Sequence, residues 1–169
     1  PAWTLTAPAN AVGLVPSAVL AWAFWPTFGV DWAPLVGLGV ACTAFGLWGN
    51  LSCFQMQRTV DASRVAPLMT LKVPVLALWT WVLAGRNCTA TQWCGIALAL
   101  ASAGFLCGAG RRISPGAWAW LLACSVGFAL SDFCVGAMLE KTAPHSPNVL
   151  ANSLFTLGLM QFFASAVSL

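Results

Sequence analysis

Two ionisable side chains lie in stretches where a charge is costly. Lys72 is the sole full charge in "LMTLKVPVLALWTWVLAG" (68–85), and Asp132 the sole one in "GFALSDFCVGAML" (127–139). Near the centre of a lipid-embedded helix such a group costs about 2.5 to 3.5 kcal/mol, so it is kept for a cavity, a partner charge or a cargo. A cavity-facing Lys72 attracts a carboxylate or phosphate on a cargo, or compensates a buried acid. The alternative is that its long stem lifts the ammonium to the nearer interface. Pro74 has no backbone N–H, leaves the carbonyl of Thr70 without its helical partner, and predicts either a kink beside the lysine or a packing feature.

An ion pair between Lys72 and Asp132 is the first idea, and depth speaks against it. Their predicted spans are two apart and therefore run parallel. Lys72 lies before the midpoint of its span and Asp132 about four residues past its own, an axial offset of roughly 10 Å. Unpaired, Asp132 holds a proton or hydrogen-bonds to a polar neighbour.

A polar row adds to these charges. Gly39, Thr43, Gly46, Asn50, Cys53 and Gln57 follow at three- and four-residue steps and share one helix face. His145, Asn148, Asn152 and Thr156 make a similar row near the end of the chain. Either row lines a cavity or supplies interhelical hydrogen bonds. Trp79 stands two turns beyond Lys72 on the same side and walls a pocket there, unless it is plain packing. The candidate substrate-binding set is Lys72, Asp132, Asn50, Gln57, Trp79 and Asn152.

The elements that must hold these residues follow from composition. Of 169 residues, 60% are hydrophobic and 7% charged, and the mean hydropathy is +0.84, against roughly 25% charged residues in a soluble domain. The chain reads as an all-α, polytopic transmembrane helix bundle. Spans are predicted near 11–28, 33–57, 64–85, 90–109, 116–139 and 147–169, each close to the roughly 20 helical residues that cross a bilayer. The joints "GVDW", "RTVDAS", "AGRNCTAT", "GRRISPG" and "EKTAPHSP" are short, carry most of the charges, and make neighbouring helices antiparallel. In "GIALALASAGFLCG" the residues Gly95, Ala99 and Ala103, with Gly104 and Gly108, predict a close helix–helix face.

From Asp61 to Gly108 the chain resembles the last two helices of an EamA-type repeat of the drug/metabolite transporter superfamily. Ala62, Ser63 and Ala66 stand at its Ala/Ser-rich entry, and Pro74 is its mid-helix proline. Gly85 follows that helix, Thr89 and Gln92 precede the next, and Gly95 and Gly104 punctuate it. Arg86 departs from the pattern, which usually carries Glu there. The resemblance implies a ten-helix inverted-repeat transporter, with 1–110 as helices two to five of the first repeat and 116–169 as the first two helices of the second. On that reading, and because the chain opens on Pro1 and closes inside an apolar run at Leu169, the sequence is expected to be a fragment.

The implied function is a secondary transporter of a small organic metabolite, working by alternating access as a multi-pass protein of the cell membrane. The rival reading is a non-transporting membrane scaffold or assembly subunit. The expected partners are a small-molecule substrate and membrane lipid, with a homodimer left open. The dispersed net charge of +3 does not suggest nucleic acid. No cofactor, metal or enzyme activity is expected: there is no G-x-S-x-G, no H-E-x-x-H, no phosphate-cradling Gly-Lys loop, and one histidine. The seven cysteines lie mostly in apolar stretches without C-x-x-C spacing and read as small packing residues. Orientation stays open: Arg58, Arg64, Arg111 and Arg112 mark one side as cytoplasmic by charge, whereas the family arrangement chooses the side of Arg86 and Lys141.

Overall fold

The structure is a computed structural model that describes residues 31–61, 65, 67–108, 114–145 and 149–168, together with 15, 16, 18, 19, 22 and 23. Five α-helices carry most of these residues: α1 (Trp32–Gln57), α2 (Lys72–Ala84), α3 (Ala90–Gly108), α4 (Pro115–Thr142) and α5 (Val149–Ser168). No strand occurs among the described residues. Each of the last five expected spans therefore holds a helix. The first, 11–28, falls mostly outside the described residues, and those of it that are described are helical.

Among the described residues two helices are long and apolar enough to cross a membrane, Trp32–Gln57 and Pro115–His145, the latter including the 3₁₀ turn Ala143–His145. Only 33% and 39% of their most apolar windows are buried in protein, unlike a soluble core helix. Met69–Ala84, Ala90–Phe105 and Val149–Ala164 are apolar but shorter. Their outer faces also carry large bare side chains, with Leu98 71% and Phe105 78% exposed, as surfaces solvated by acyl chains would.

Local chemistry sets the helix ends. Asp31 accepts the Ala33 N–H at the start of α1 (3.2 Å). Before α3, the Thr89 N–H donates to Gln92 Oε1 (2.8 Å) and the Gln92 N–H to Thr89 Oγ1 (3.3 Å), a reciprocal capping box. Ser114 Oγ accepts the Ala117 N–H (3.2 Å), with Pro115 as the first residue of α4. At the end of α2, Gly85 turns to φ 63°, its N–H donating to Trp81 O (3.1 Å) and that of Arg86 to Thr80 O (3.5 Å). This Schellman ending favours glycine, because a Cβ crowds the backbone at positive φ.

Span 64–85 is not one uniform helix. The described residues ahead of Met69 are helical, Met69–Leu71 is a 3₁₀ turn, and α2 begins at Lys72. Pro74 thus falls in the first turn of α2, where a missing N–H costs little. The anomaly expected beside Lys72 is a change of helix type just before it.

The chain divides into two compact units, one holding 1–44 and 134–169, the other Phe45–Phe133. Within the first, Trp32 meets Phe155 edge-on, ring centroids 6.3 Å apart, and the Phe163 ring fills the space over Gly39. Within the second, α1 and α4 pack antiparallel. A Cβ on Gly127 would lie 2.8 Å from Gly49 N, one on Gly49 would lie 3.1 Å from the Phe128 ring, and one on Gly46 would reach Ser131 Oγ at 3.5 Å. Met56, Val60, Val65, Leu68, Ala117 and Leu121 form the buried cluster at one end of this unit.

The close-packing face expected on α3 is corrected by this geometry. A Cβ on Gly95 or Gly104 would meet nothing within 4 Å, although Ala103 is buried; Gly108's surroundings lie outside the description. Backbones approach closely at Gly49 and Gly127 instead, in the two longest helices, where no G-x-x-x-G spacing announces it.

Candidate functional site

Lys72 and Asp132 are joined in the second unit. Nζ of Lys72 donates to Oδ2 of Asp132 at 2.9 Å, a direct ion pair between the first residue of α2 and the middle of α4. The expectation of unpaired charges is overturned, and the reason is legible in the packing. One turn before Lys72, Met69 Sδ lies 3.5 Å from Cys124 Sγ, which fixes the register. Moving from Met69 to Lys72 advances about 5 Å along one helix, while moving from Cys124 to Asp132 advances about 12 Å along the other. The helices do run parallel and an offset exists. The four-methylene lysine stem, about 6 Å long, spans it and ends on Asp132.

The pair is half-open: its side chains are 41% and 40% exposed. Charges so placed remain reachable from outside the protein while compensating each other. Ser131, beside Asp132, faces the Cβ-less surface of Gly46, so the pair sits next to the α1–α4 packing.

The other candidates do not gather around it. Asn50 and Gln57 are exposed on α1, and Gln57 Nε2 donates to Cys53 Sγ at 3.5 Å. Trp79 is half-buried on α2, its indole Nε1 buried without a hydrogen-bond partner. Asn152 belongs to the other unit, where its Nδ2 donates to Leu139 O at 2.9 Å and ties α5 to α4. Thr43, at the other end of the polar row, donates back to Gly39 O (2.9 Å). Of the second row, Asn148 lies outside the described residues; His145 ends the 3₁₀ turn, and Thr156 is buried.

Two cavities open along α2 and α3. One, of about 530 Å³, has Pro74, Trp81, Asn87 and Trp93 among its walls. The other, of about 520 Å³, is floored by Val73, Leu76 and Ile96 under a polar mouth of Arg86, Thr89 and Gln92. Neither includes Lys72, Asp132 or Trp79. Thr89 and Gln92, the capping box at the second mouth, are also among the residues that carry the family pattern.

The model of the EamA-like transporter family matches residues 1–108. The chain belongs to this family. No curated protein and no solved structure matches it. EamA-like proteins are integral membrane transporters of the drug/metabolite superfamily, and the exposed apolar helices here fit that class. The match ends where α3 ends, at Gly108, so α4, with Asp132, lies beyond it while Lys72 lies inside. The ion pair therefore links the matched segment to the segment after it.

Sequence reasoning missed a group of sulfur atoms. Cys53, Cys124 and Met69 converge from α1, α4 and the 3₁₀ turn. No spacing rule joins positions 53, 69 and 124.

Proposed function

We propose that this EamA-like chain works in a secondary transporter that carries a small organic metabolite across the cell membrane by alternating access, with the Lys72–Asp132 pair in the path of the cargo. The observation that carries the reading is that pair, two opposite charges 2.9 Å apart yet two-fifths exposed in otherwise apolar stretches of their helices. A polar cargo entering there exchanges one set of charge contacts for another, and neither charge is stranded in a low-dielectric surround. Asn50, Gln57, Trp79 and Asn152 are proposed to complete the lining in a conformation other than this one.

The architecture of that proposal has six spans. Residues 1–110 supply helices two to five of one five-helix repeat and 116–169 open a second. An odd number of helices returns each repeat inverted, the arrangement that rocks between inward- and outward-open states. Membrane lipid surrounds it, and a homodimer is compatible with its bare outer faces.

A scaffold reading draws on Asn152, whose bond to Leu139 O is helix–helix glue. Counterflow in proteoliposomes, with separate pools of labelled amino acids, sugars and phosphorylated metabolites, separates the two. Lys72→Met and Asp132→Asn should each abolish counterflow of the transported pool while the protein still inserts and stays monodisperse. Counterflow that survives both substitutions removes the pair from the path. Variants that fail to insert or assemble, with no counterflow by the unsubstituted chain, favour the scaffold.

A further inference from the structure

We infer that Cys53, Cys124 and Met69 form a binding site for a soft monovalent metal ion, Cu(I) in chemistry and Ag(I) as its redox-inert analogue. The inference is independent of the transport reading. All three residues lie in the second unit, on three separate elements. Cys124 Sγ is 3.5 Å from Met69 Sδ, the Cys53 thiol neighbours that of Cys124, and Cys53 and Met69 pack on the same buried cluster. A metal bound about 2.3 Å from each sulfur holds its ligands roughly 4 Å apart. For the Cys124–Met69 pair, at 3.5 Å, closing on an ion needs a shift of only about 0.5 Å.

The donors select the metal. Two thiols and a thioether are soft ligands that suit Cu(I), whereas calcium, magnesium and manganese want oxygen. No group of three or more His, Cys, Asp or Glu residues stands ready for a metal among the described residues. The surroundings are dry: Cys124, Met56 and Leu121 are 0% exposed and Leu68 is 1% exposed. In such a place the bound complex must be close to neutral. One thiol loses its proton to become the thiolate ligand, the second thiol stays protonated, and the thioether carries no charge. Thiolate and monovalent cation then cancel, with one proton released per ion bound.

Gln57 supplies an outer contact and an entrance. Its Nε2 donates to Cys53 Sγ at 3.5 Å, the kind of hydrogen bond that steadies a thiolate ligand. Gln57 and Arg58 are exposed at the end of α1, so an ion reaches Cys53 from the helix end.

The test uses the full chain in detergent and Ag(I) alone, challenged with excess glutathione so that isolated thiols give up their ion. The unsubstituted protein should retain one equivalent after desalting, measured by mass spectrometry of the metal. Cys53→Ala with Cys124→Ala should lose it. Cys42→Ala with Cys134→Ala, which alters the neighbouring cysteines of the other unit, should keep it. Met69→Leu conserves volume and leaves both thiols in place; it should weaken retention by about tenfold or more. Retention that is unchanged by the Cys53/Cys124 pair of substitutions, or by Met69→Leu, overturns the assignment.

Discussion

Gly127→Ala puts a methyl group into the closest backbone approach of the second unit. The added Cβ would lie 2.8 Å from Gly49 N, 2.9 Å from Gly49 Cα and 3.0 Å from Phe45 O, all main-chain atoms. Ordinary contact begins near 3.4 Å, so α1 and α4 must part locally by about 0.6 Å. A gap of that size forfeits a quarter to a half of each dispersion contact along the seam, and overpacking of this kind costs about 1 to 3 kcal/mol. Alanine returns up to about 1 kcal/mol in helix propensity. Taking the full return, the expected net loss is about 0 to 2 kcal/mol, centred on about 1 kcal/mol, where lipid gives helices no hydrophobic reason to associate. Gly136→Ala, in the same helix but with nothing within 4 Å of its Cβ, should be neutral or stabilising. The assay is equilibrium unfolding in mixed micelles by SDS titration, followed by circular dichroism. If Gly127→Ala proves as stable as Gly136→Ala, the close α1–α4 approach is wrong. Since Asp132 follows Gly127 by little more than a turn, the same variant should also impair counterflow.

Exchanging the charges in Lys72→Asp with Asp132→Lys should recover much of the stability lost in either single variant, because the pair and not one charge is stabilising; a double-mutant cycle in the same unfolding assay reads the coupling, and additivity refutes it. Thr89→Ala removes one side of the α3 capping box and should cost about 1 kcal/mol, seen as faster hydrogen exchange in the first turn of α3. Asn152→Leu deletes the bond to Leu139 O and should lower unfolding stability by about 0.6 to 1.7 kcal/mol; a larger loss of counterflow than of stability would give Asn152 a place at the cargo.

The sequence alone determined the class of the protein. So few charges in so apolar a chain leave too little polar surface to face water, and helices satisfy their own backbone in lipid. Helix ends were legible for the same local reason: Thr89 with Gln92, Ser114 with Pro115, and Gly85 each act on backbone within a turn of themselves. Lys72 and Asp132 stood out by cost, which is a property of one residue in its own stretch.

Partnership needed the tertiary structure. Counting residues to a span midpoint predicted an offset between Lys72 and Asp132 but could not reckon with the reach of a lysine stem or the register set by Met69 on Cys124. Gly49 and Gly127 became a crossing, and Cys53, Met69 and Cys124 a sulfur group, only when helices remote in sequence were laid together. Periodicity reports which residues share a face of one helix; which face meets which is decided by shape complementarity between helices, and no single stretch of sequence contains that information.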